Sequence, residues 1–326
     1  MFQNRITDLL GIRYPIVQSG MRFVARAELV AAVANAGGLG FLSAHTQPTA
    51  EDLRNEIRKA QSLAKGPIGV NLTVLPMLKG VDFDAYARVI IECGVPVAET
   101  AGANPAKYIA AFKEGGVKVV HKCTTVRHAV KAEQLGADAI SIDSFECAGH
   151  PGEDDVPAFI LIPAAAAKVK IPLLASGGIA DGKGLVAALA LGAEGINMGT
   201  RFMLTRESPL HPDVKQLMLQ ATERDTVLIG RTFKDSSRLL KNKIVEEALA
   251  LERSKPDATY ADVYPLVGAP SWMKAAAEGD LEGGAFPVGM CVGLIDDLPT
   301  CAELIGNIMK EAEDIVSDMG RRFVKD

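Results

Sequence analysis

Over its first two hundred residues the chain repeats one alternation, a short β-branched run followed by a longer amphipathic stretch. That alternation is the mark of parallel strands joined by crossover helices. Strand candidates lie at 15–18, 40–43, 68–71, 95–99, 118–121, 139–142, 172–175 and 195–198. Helical stretches fall between them, among them 26–35, 50–64, 106–114, 126–135 and 184–191. Gly37, Gly94, Gly115, Gly136 and Gly192 stand at helix ends, where a left-handed residue is expected. Eight strands in this order favour a closed α/β barrel, the (β/α)8 TIM barrel, over an open doubly wound sheet that shares the alternation.

A barrel commonly takes about 250 residues. The 326 residues here therefore suggest one barrel with an insertion. The pattern changes after Gly199. Residues 212–286 read as helical stretches, including 214–222 and 243–253, without a clear strand. The expected division is a barrel of residues 1–211 and 288–326 and a helical cap of residues 212–287 inserted after the last strand. In the closing helix, roughly 301–322, Leu304, Ile308, Ala312, Ile315 and Met319 recur at helical spacing and should pack on the barrel.

A net charge of −5 leaves no basic footprint for nucleic acid. Five scattered cysteines make no disulfide framework and favour a reducing compartment. The N-terminus does not read as a signal peptide, and the apolar run 185–191 is too short to span a bilayer, so a cytoplasmic location is expected.

The chemistry concentrates at strand ends. Ser176-Gly177-Gly178 follows the seventh strand and Gly199-Thr200 the eighth. Barrels often bind phosphate at those two loops, because glycines let backbone amides approach the phosphate oxygens. Tight turns are the plain alternative. Gly182-Lys183-Gly184 through Ala187 matches a loose dinucleotide pattern but falls inside a helix, and is read as chance. Gln18, Ser19, Gly20 and Met21 end the first strand, Asn71 and Thr73 the third, and Lys122 the fifth. Lys122 could stand as a cation beside a flavin ring, as a Schiff-base lysine, or as an exposed helix-start lysine.

The loop after the sixth strand reads Glu146-Cys147-Ala148-Gly149-His150-Pro151-Gly152-Glu153-Asp154-Asp155. His150, in a Gly/Pro-rich turn on the active face, is the candidate catalytic residue, able to donate to an oxyanion or exchange a proton. The acidic trio reads as a solvated helix-start cluster. No metal is expected, since Cys147 and His150 have no second pair at metal spacing and strand alternation is taken to separate Cys123 from His121. His121 reads as core, and His45, His128 and His211 as surface or packing groups. Trp272, Met273 and Phe286 read as packing.

Taken together, Pro15 through Met21, Gly69-Val70-Asn71-Leu72, His121-Lys122-Cys123, Ala148-Gly149-His150, Ser176-Gly177-Gly178 and Asn197-Met198-Gly199-Thr200 resemble the nitronate monooxygenase (2-nitropropane dioxygenase) family. The resemblance runs through Ile295 and is strongest to the family's FMN-dependent NADH:quinone reductase branch. It implies an FMN site at Gln18, Gly20, Met21, Asn71, Lys122, Ala148, Ser176, Gly177, Gly178, Gly199, Thr200 and Met290, with His150 facing the substrate. It implies NADH as co-substrate, a quinone or a nitronate as the second small molecule, and a loop at Pro76 that gates the nicotinamide. Typical nitronate monooxygenases carry a second Gly before the His and a Gly-Gln near the C-terminus. Ala148-Gly149-His150 and Gly289-Met290 stand here instead, which counts against nitronate oxidation as the physiological role and leaves the flavin site untouched. The run Glu146 to Asp155 and Asn71-Leu72-Thr73 with Pro76 match the reductase branch. Flavin-dependent enoyl reduction, a Schiff-base aldolase or isomerase, and a non-catalytic flavin carrier complete the field. No nucleic acid or membrane partner is expected, and a homodimer is allowed for.

Overall fold

Eight strands close on themselves in chain order: β1 (Ile16–Gln18), β2 (Leu39–Ser43), β3 (Gly69–Val74), β4 (Val97–Gly102), β5 (Lys118–Cys123), β6 (Ala139–Asp143), β7 (Leu173–Ser176) and β8 (Gly195–Met198). The computed structural model describes residues 3–74, 81–255 and 257–323, so the Pro76 loop lies outside the described residues. Every pairing is parallel, and β8 closes on β1 through Ile16 with Ile196 and Gln18 with Met198. This is the barrel that the alternation implies.

Helices α1 (Arg5–Leu10), α2 (Ala27–Asn35), α3 (Ala50–Leu63), α4 (Phe83–Glu92), α5 (Ala106–Glu114), α6 (Val126–Gln134), α7 (Ala158–Ala166) and α8 (Gly182–Ala190) occupy the first 190 residues. Several begin where the sequence supplies a cap. Thr49, Thr125 and Asp181 accept the third amide of α3, α6 and α8, each worth about 1 kcal/mol. Gly37, Gly94, Gly136 and Gly192 turn left-handed as expected. Gly115 does not (φ −77°), and Gly116 takes that turn at +74°.

The barrel interior divides into two layers. Val17, Leu39, Phe41, Val97, Val120, Ala139 and Leu174 fill the lower half together with Ile6 and Leu10 of α1. Gly69 completes that layer, since a Cβ there would come within 2.3 Å of the Phe41 ring. Side chains two residues further along a strand share its face. That period brings Asn71, Glu99, Lys122 and Ser141 inward above the apolar layer, where branched apolar residues usually dominate. A polar layer at the barrel mouth is the first sign of function.

After β8 come α9 (Thr200–Met203), α10 (Pro212–Leu219), a hairpin of β9 (Thr226–Ile229) with β10 (Ser237–Leu240), α11 (Lys243–Ser254), α12 (Tyr260–Val267) and α13 (Ala269–Glu278). The strand-free reading of 212–286 is thus corrected. Each hairpin strand is four residues long, too short to show a period between charged helices. Ile229, Leu239, Val245 and Ala285 give the hairpin and α11 a small core of their own.

The final helix α14 (Cys301–Phe323) lies on α8 and α2. Leu304, Ile308 and Ala312 are buried there, but Met319 is 44% exposed, so the last turns leave the barrel surface. Among the described residues no helix is long and apolar enough to cross a membrane.

Candidate active site

Above the polar layer opens one cleft of about 900 Å³, roofed by the hairpin and α12–α13. Its floor is built around Glu99, whose side chain is fully buried. Asn71 Nδ2 donates to it at 2.6 Å and Asn197 Nδ2 at 2.9 Å, while Asn197 also donates to Ser141 Oγ at 3.0 Å. Thr73 Oγ1 donates to Asn71 Oδ1 at 2.9 Å. Every neighbour of Glu99 in this set is a donor, which is the environment of an ionised carboxylate.

Lys122 completes the floor. Its ammonium lies 3.7 Å from Glu99 Oε1 and 3.8 Å from Asp143 Oδ2 and donates to Ser19 Oγ. Burial works to discharge the amine, but the Asp143 and Glu99 carboxylates outweigh it and hold its pKa above the ordinary lysine value. A Schiff-base lysine needs the opposite, a depressed pKa and a free amine. The aldolase reading therefore loses its nucleophile, and the exposed-lysine reading is also excluded. Burial holds Asp143 above the usual carboxylate range despite Lys122. Asp143 Oδ1, on the cleft lining, is buried without a hydrogen-bond partner, an expensive condition unless a ligand supplies a donor.

Around this floor the strand-end loops converge. Gly20, Met21, Asn71, Lys122, Ala148, His150, Ser176, Gly177, Gly178, Gly199 and Thr200 all line the cleft. Gln18 lies beneath it, fully buried, and Met290 stands outside its lining while its neighbours Gly289 and Cys291 belong to it. Glycine is obligatory at two of these points. A Cβ on Gly20 would fall 2.3 Å from Asn71 Cβ, and one on Gly177 (φ +91°) 2.5 Å from Ser144 Oγ. Thr200 Oγ1 accepts the Gly289 amide at 3.0 Å and so ties the eighth loop to the returning chain. The five cysteines are free, and burial pushes the Cys147 thiol well up, so it is no ready nucleophile.

The sixth loop is clasped to the hairpin. Gly149 and Arg238 exchange backbone hydrogen bonds of 3.2 and 2.6 Å, and Arg238 donates to Phe145 O at 2.8 Å. Glu153 accepts the Ser236 amide and hydroxyl, and Asp155 accepts from Arg231 at 2.6 Å. All three carboxylates are exposed, as a solvated cluster should be, but Glu153 and Asp155 also fasten the loop to the hairpin. Their partners lie some eighty residues ahead, beyond the reach of any local pattern.

His121 and Cys123 are two apart in one strand and share its face, which corrects their expected separation; both also edge the cleft. Burial pushes the His121 imidazole down to about 4, with His128 adding to the effect, and Thr100 Oγ1 lies 3.0 Å from its Nδ1. Trp272 lines the cleft as well as packing edge-on against Phe23, whereas Phe286 is core. Among the described residues no group of three or more His, Cys, Asp or Glu could hold a metal ion. Sequence reasoning missed Glu99 and Asp143. The available signal was a carboxylate at an inward position of a strand whose neighbours two residues back are Val97 and Ser141.

A closed barrel with charged groups fixed beneath a roofed cleft, and glycine loops after its last two strands, defines a barrel enzyme. The chain belongs to the nitronate monooxygenase family, whose pattern it matches over residues 3–311, and it is an oxidoreductase. Among its relatives is the (3aS,4S,5R,7aS)-5-hydroxy-7a-methyl-1-oxo-octahydro-1H-indene-4-carboxyl-CoA dehydrogenase of Rhodococcus jostii, 34% identical over 98% of both chains. A probable nitronate monooxygenase of Staphylococcus saprophyticus is 30% identical, covering 96% of this chain and 99% of its own. Among solved structures, FabK from Thermotoga maritima matches with a TM-score of 0.92 at 36% identity, covering 99% of this chain and all of that one. Nitroalkane oxidase from Streptomyces ansochromogenes follows at 0.82 and 29%, covering 96% and 100%.

Proposed function

We propose that this chain is an FMN-dependent NADH:quinone reductase acting on small molecules in the cytoplasm. The observation that carries the reading is the size and continuity of the cleft. About 900 Å³ lies near the upper end of ligand cavities, enough for a cofactor ring and a second planar ring together. It reaches from the glycine loops at Ser176–Gly178 to His150 in one space.

The residues fit FMN. Gly177, Gly178, Gly199 and Thr200 would hold its phosphate, and Gly20, Met21, Asn71, Lys122 and Ala148 its ring. The unpartnered Asp143 Oδ1, on the cleft lining, awaits a donor of the kind a flavin pyrimidine carries. Bound there, FMN would accept a hydride from NADH and return two electrons to a quinone. The protein's own part is charge and protons. Lys122, fixed by three partners, offers a permanent positive charge to an electron-rich ring. His150, 59% exposed at the cleft, would hand a proton to a quinone oxygen and recover it from water. Residues 212–287 would act as the cap that keeps the reacting groups beneath the hairpin and α12–α13.

The CoA dehydrogenase relatives favour a second reading, a CoA thioester as acceptor, for which Arg22, Lys131 and Lys234 around the cleft could meet phosphates. Initial rates of NADH consumption with a quinone, an acyl-CoA or an enoyl thioester, beside nitronate oxidation in air, separate the readings. Fast NADH consumption only with quinone is expected. Nitronate turnover without NADH oxidation would overturn the proposal.

A further inference from the structure

One contact on the cleft wall is left unused by this reading. His150 Nε2 lies 3.5 Å from Asp235 Oδ1, a residue at the turn of the cap hairpin. The two are brought together by the clasp described above, not by their own attraction. The Gly149–Arg238 exchange and the Glu153–Ser236 bonds fix the two backbones on either side of them.

Backbone conformation marks the same place. Among the described residues three non-glycines have positive φ, and two of them, Asp155 (φ 53°) and Lys234 (φ 55°), flank this contact. Such conformations cost about 1 kcal/mol or more and persist where the surroundings dictate them, often at functional sites. On the hairpin side, Gly230 (φ 79°) passes so close to Asp235 that a Cβ would fall 2.3 Å from its carbonyl oxygen, and the Asp235 amide donates back to Gly230 O. On the loop side, Gly149 and Gly152 both turn left-handed around His150-Pro151, and a Cβ on Gly152 would strike Thr124. The backbone segments that carry the carboxylate and the ring are thus fixed on both sides.

We propose that Asp235 is a positioning residue for His150, engaging Nε2 so that Nδ1 is the ring nitrogen left for the electron acceptor. The inference rests on the reading of His150 as proton donor. In that step the quinone takes two electrons and one proton from the reduced cofactor as a hydride equivalent. Its oxygen takes the second proton from Nδ1 of a ring protonated at both nitrogens, which completes the hydroquinone. The N–H bond at Nδ1 breaks, an O–H bond forms, and neutral His150 keeps its Nε2 proton toward Asp235. Water then restores the lost proton.

The other charged groups at this wall do not compete for the role. Glu153 and Asp155 are bound to Ser236 and Arg231, while Lys234 is a cation and Tyr260 of α12 is a neutral phenol whose pKa is raised, first by burial. As a stabilising ion pair the contact would count for little, given the exposure of His150. Its value lies in orientation, where small displacements are costly in rate.

The test is a double-mutant cycle on the FMN-loaded enzyme, followed as the two half-reactions. Asp235→Asn should slow re-oxidation by quinone about 5- to 10-fold, as a fall in kcat larger than any change in KM, while Asp235→Glu restores most of the rate. In the His150→Ala background the same substitution should have no further effect. An equal loss with and without His150, or one shared by the NADH half-reaction, would overturn the assignment. A flavin spectrum like that of the parent certifies that each variant is folded and loaded. Failure of the parent enzyme to reduce quinone would count against the proposed function instead, and the cycle would then run with whichever acceptor re-oxidises the flavin.

Discussion

Replacing Glu99 with Gln removes one negative charge at almost constant volume from the centre of the polar floor. The carboxylate accepts from Asn71 at 2.6 Å and Asn197 at 2.9 Å and faces the Lys122 ammonium at 3.7 Å. Glutamine offers one acceptor oxygen, and its amide nitrogen must face one of the two asparagine donors. Asn197 keeps its bond to Ser141, so the unavoidable losses are one charge-assisted bond to an asparagine and half of the counter-charge on Lys122. A hydrogen bond to a charged group contributes about 1.5–3 kcal/mol, and breaking a buried ion pair from one side costs about 3–5 kcal/mol. Because Asp143 remains beside Lys122, a net loss of about 3 kcal/mol is expected. For a chain of this size that corresponds to a fall in Tm of about 4 °C, measured by calorimetry on the flavin-free protein. A Tm within about 1 °C of the parent would refute the picture of Glu99 as an ionised anchor.

The pH dependence of stability carries a second signature. His121 is held near 4 in the fold, against an ordinary value of 6.5, so the unfolded chain binds the extra proton. Its contribution is complete above about pH 6.5 and is lost as pH falls toward 4, amounting to about 3 kcal/mol. Urea titrations should show this acid slope flattened in His121→Gln. Gly177→Ala should weaken FMN binding at least about ten-fold in a fluorescence titration, since its Cβ would meet Ser144 and its φ of 91° is strained for alanine. His150→Ala should lower quinone turnover about a hundred-fold while the flavin stays bound. Release of the flavin would make His150 a cofactor ligand instead.

Much of this architecture was legible because its signals are local. The βα alternation gives the barrel, and Ser176–Gly178 with Gly199–Thr200 mark its seventh and eighth loops within a few residues of strands that the β-branched runs disclose. What escaped depends on contacts across the chain. Glu99 reads as an ordinary strand terminus until Asn71 and Asn197 are seen on either side of it. The hairpin of β9 and β10 has no period of its own and is held by Gly149, Phe145 and Glu153 of a loop far back in the sequence. Lys122 shows the intermediate case. Its place at a strand end was visible, but the choice between cation and nucleophile turns on Asp143 and Glu99, which sequence order does not bring near it.

Electron transfer from NADH to a quinone through FMN at this barrel mouth is the proposed function. Anaerobic titration of the purified flavin-loaded enzyme with NADH, followed in the visible spectrum, tests it most directly. Complete bleaching with one NADH per flavin, and full return of colour when a quinone is added, is the predicted result. A flavin that stays oxidised under NADH but bleaches with an alkyl nitronate would contradict it.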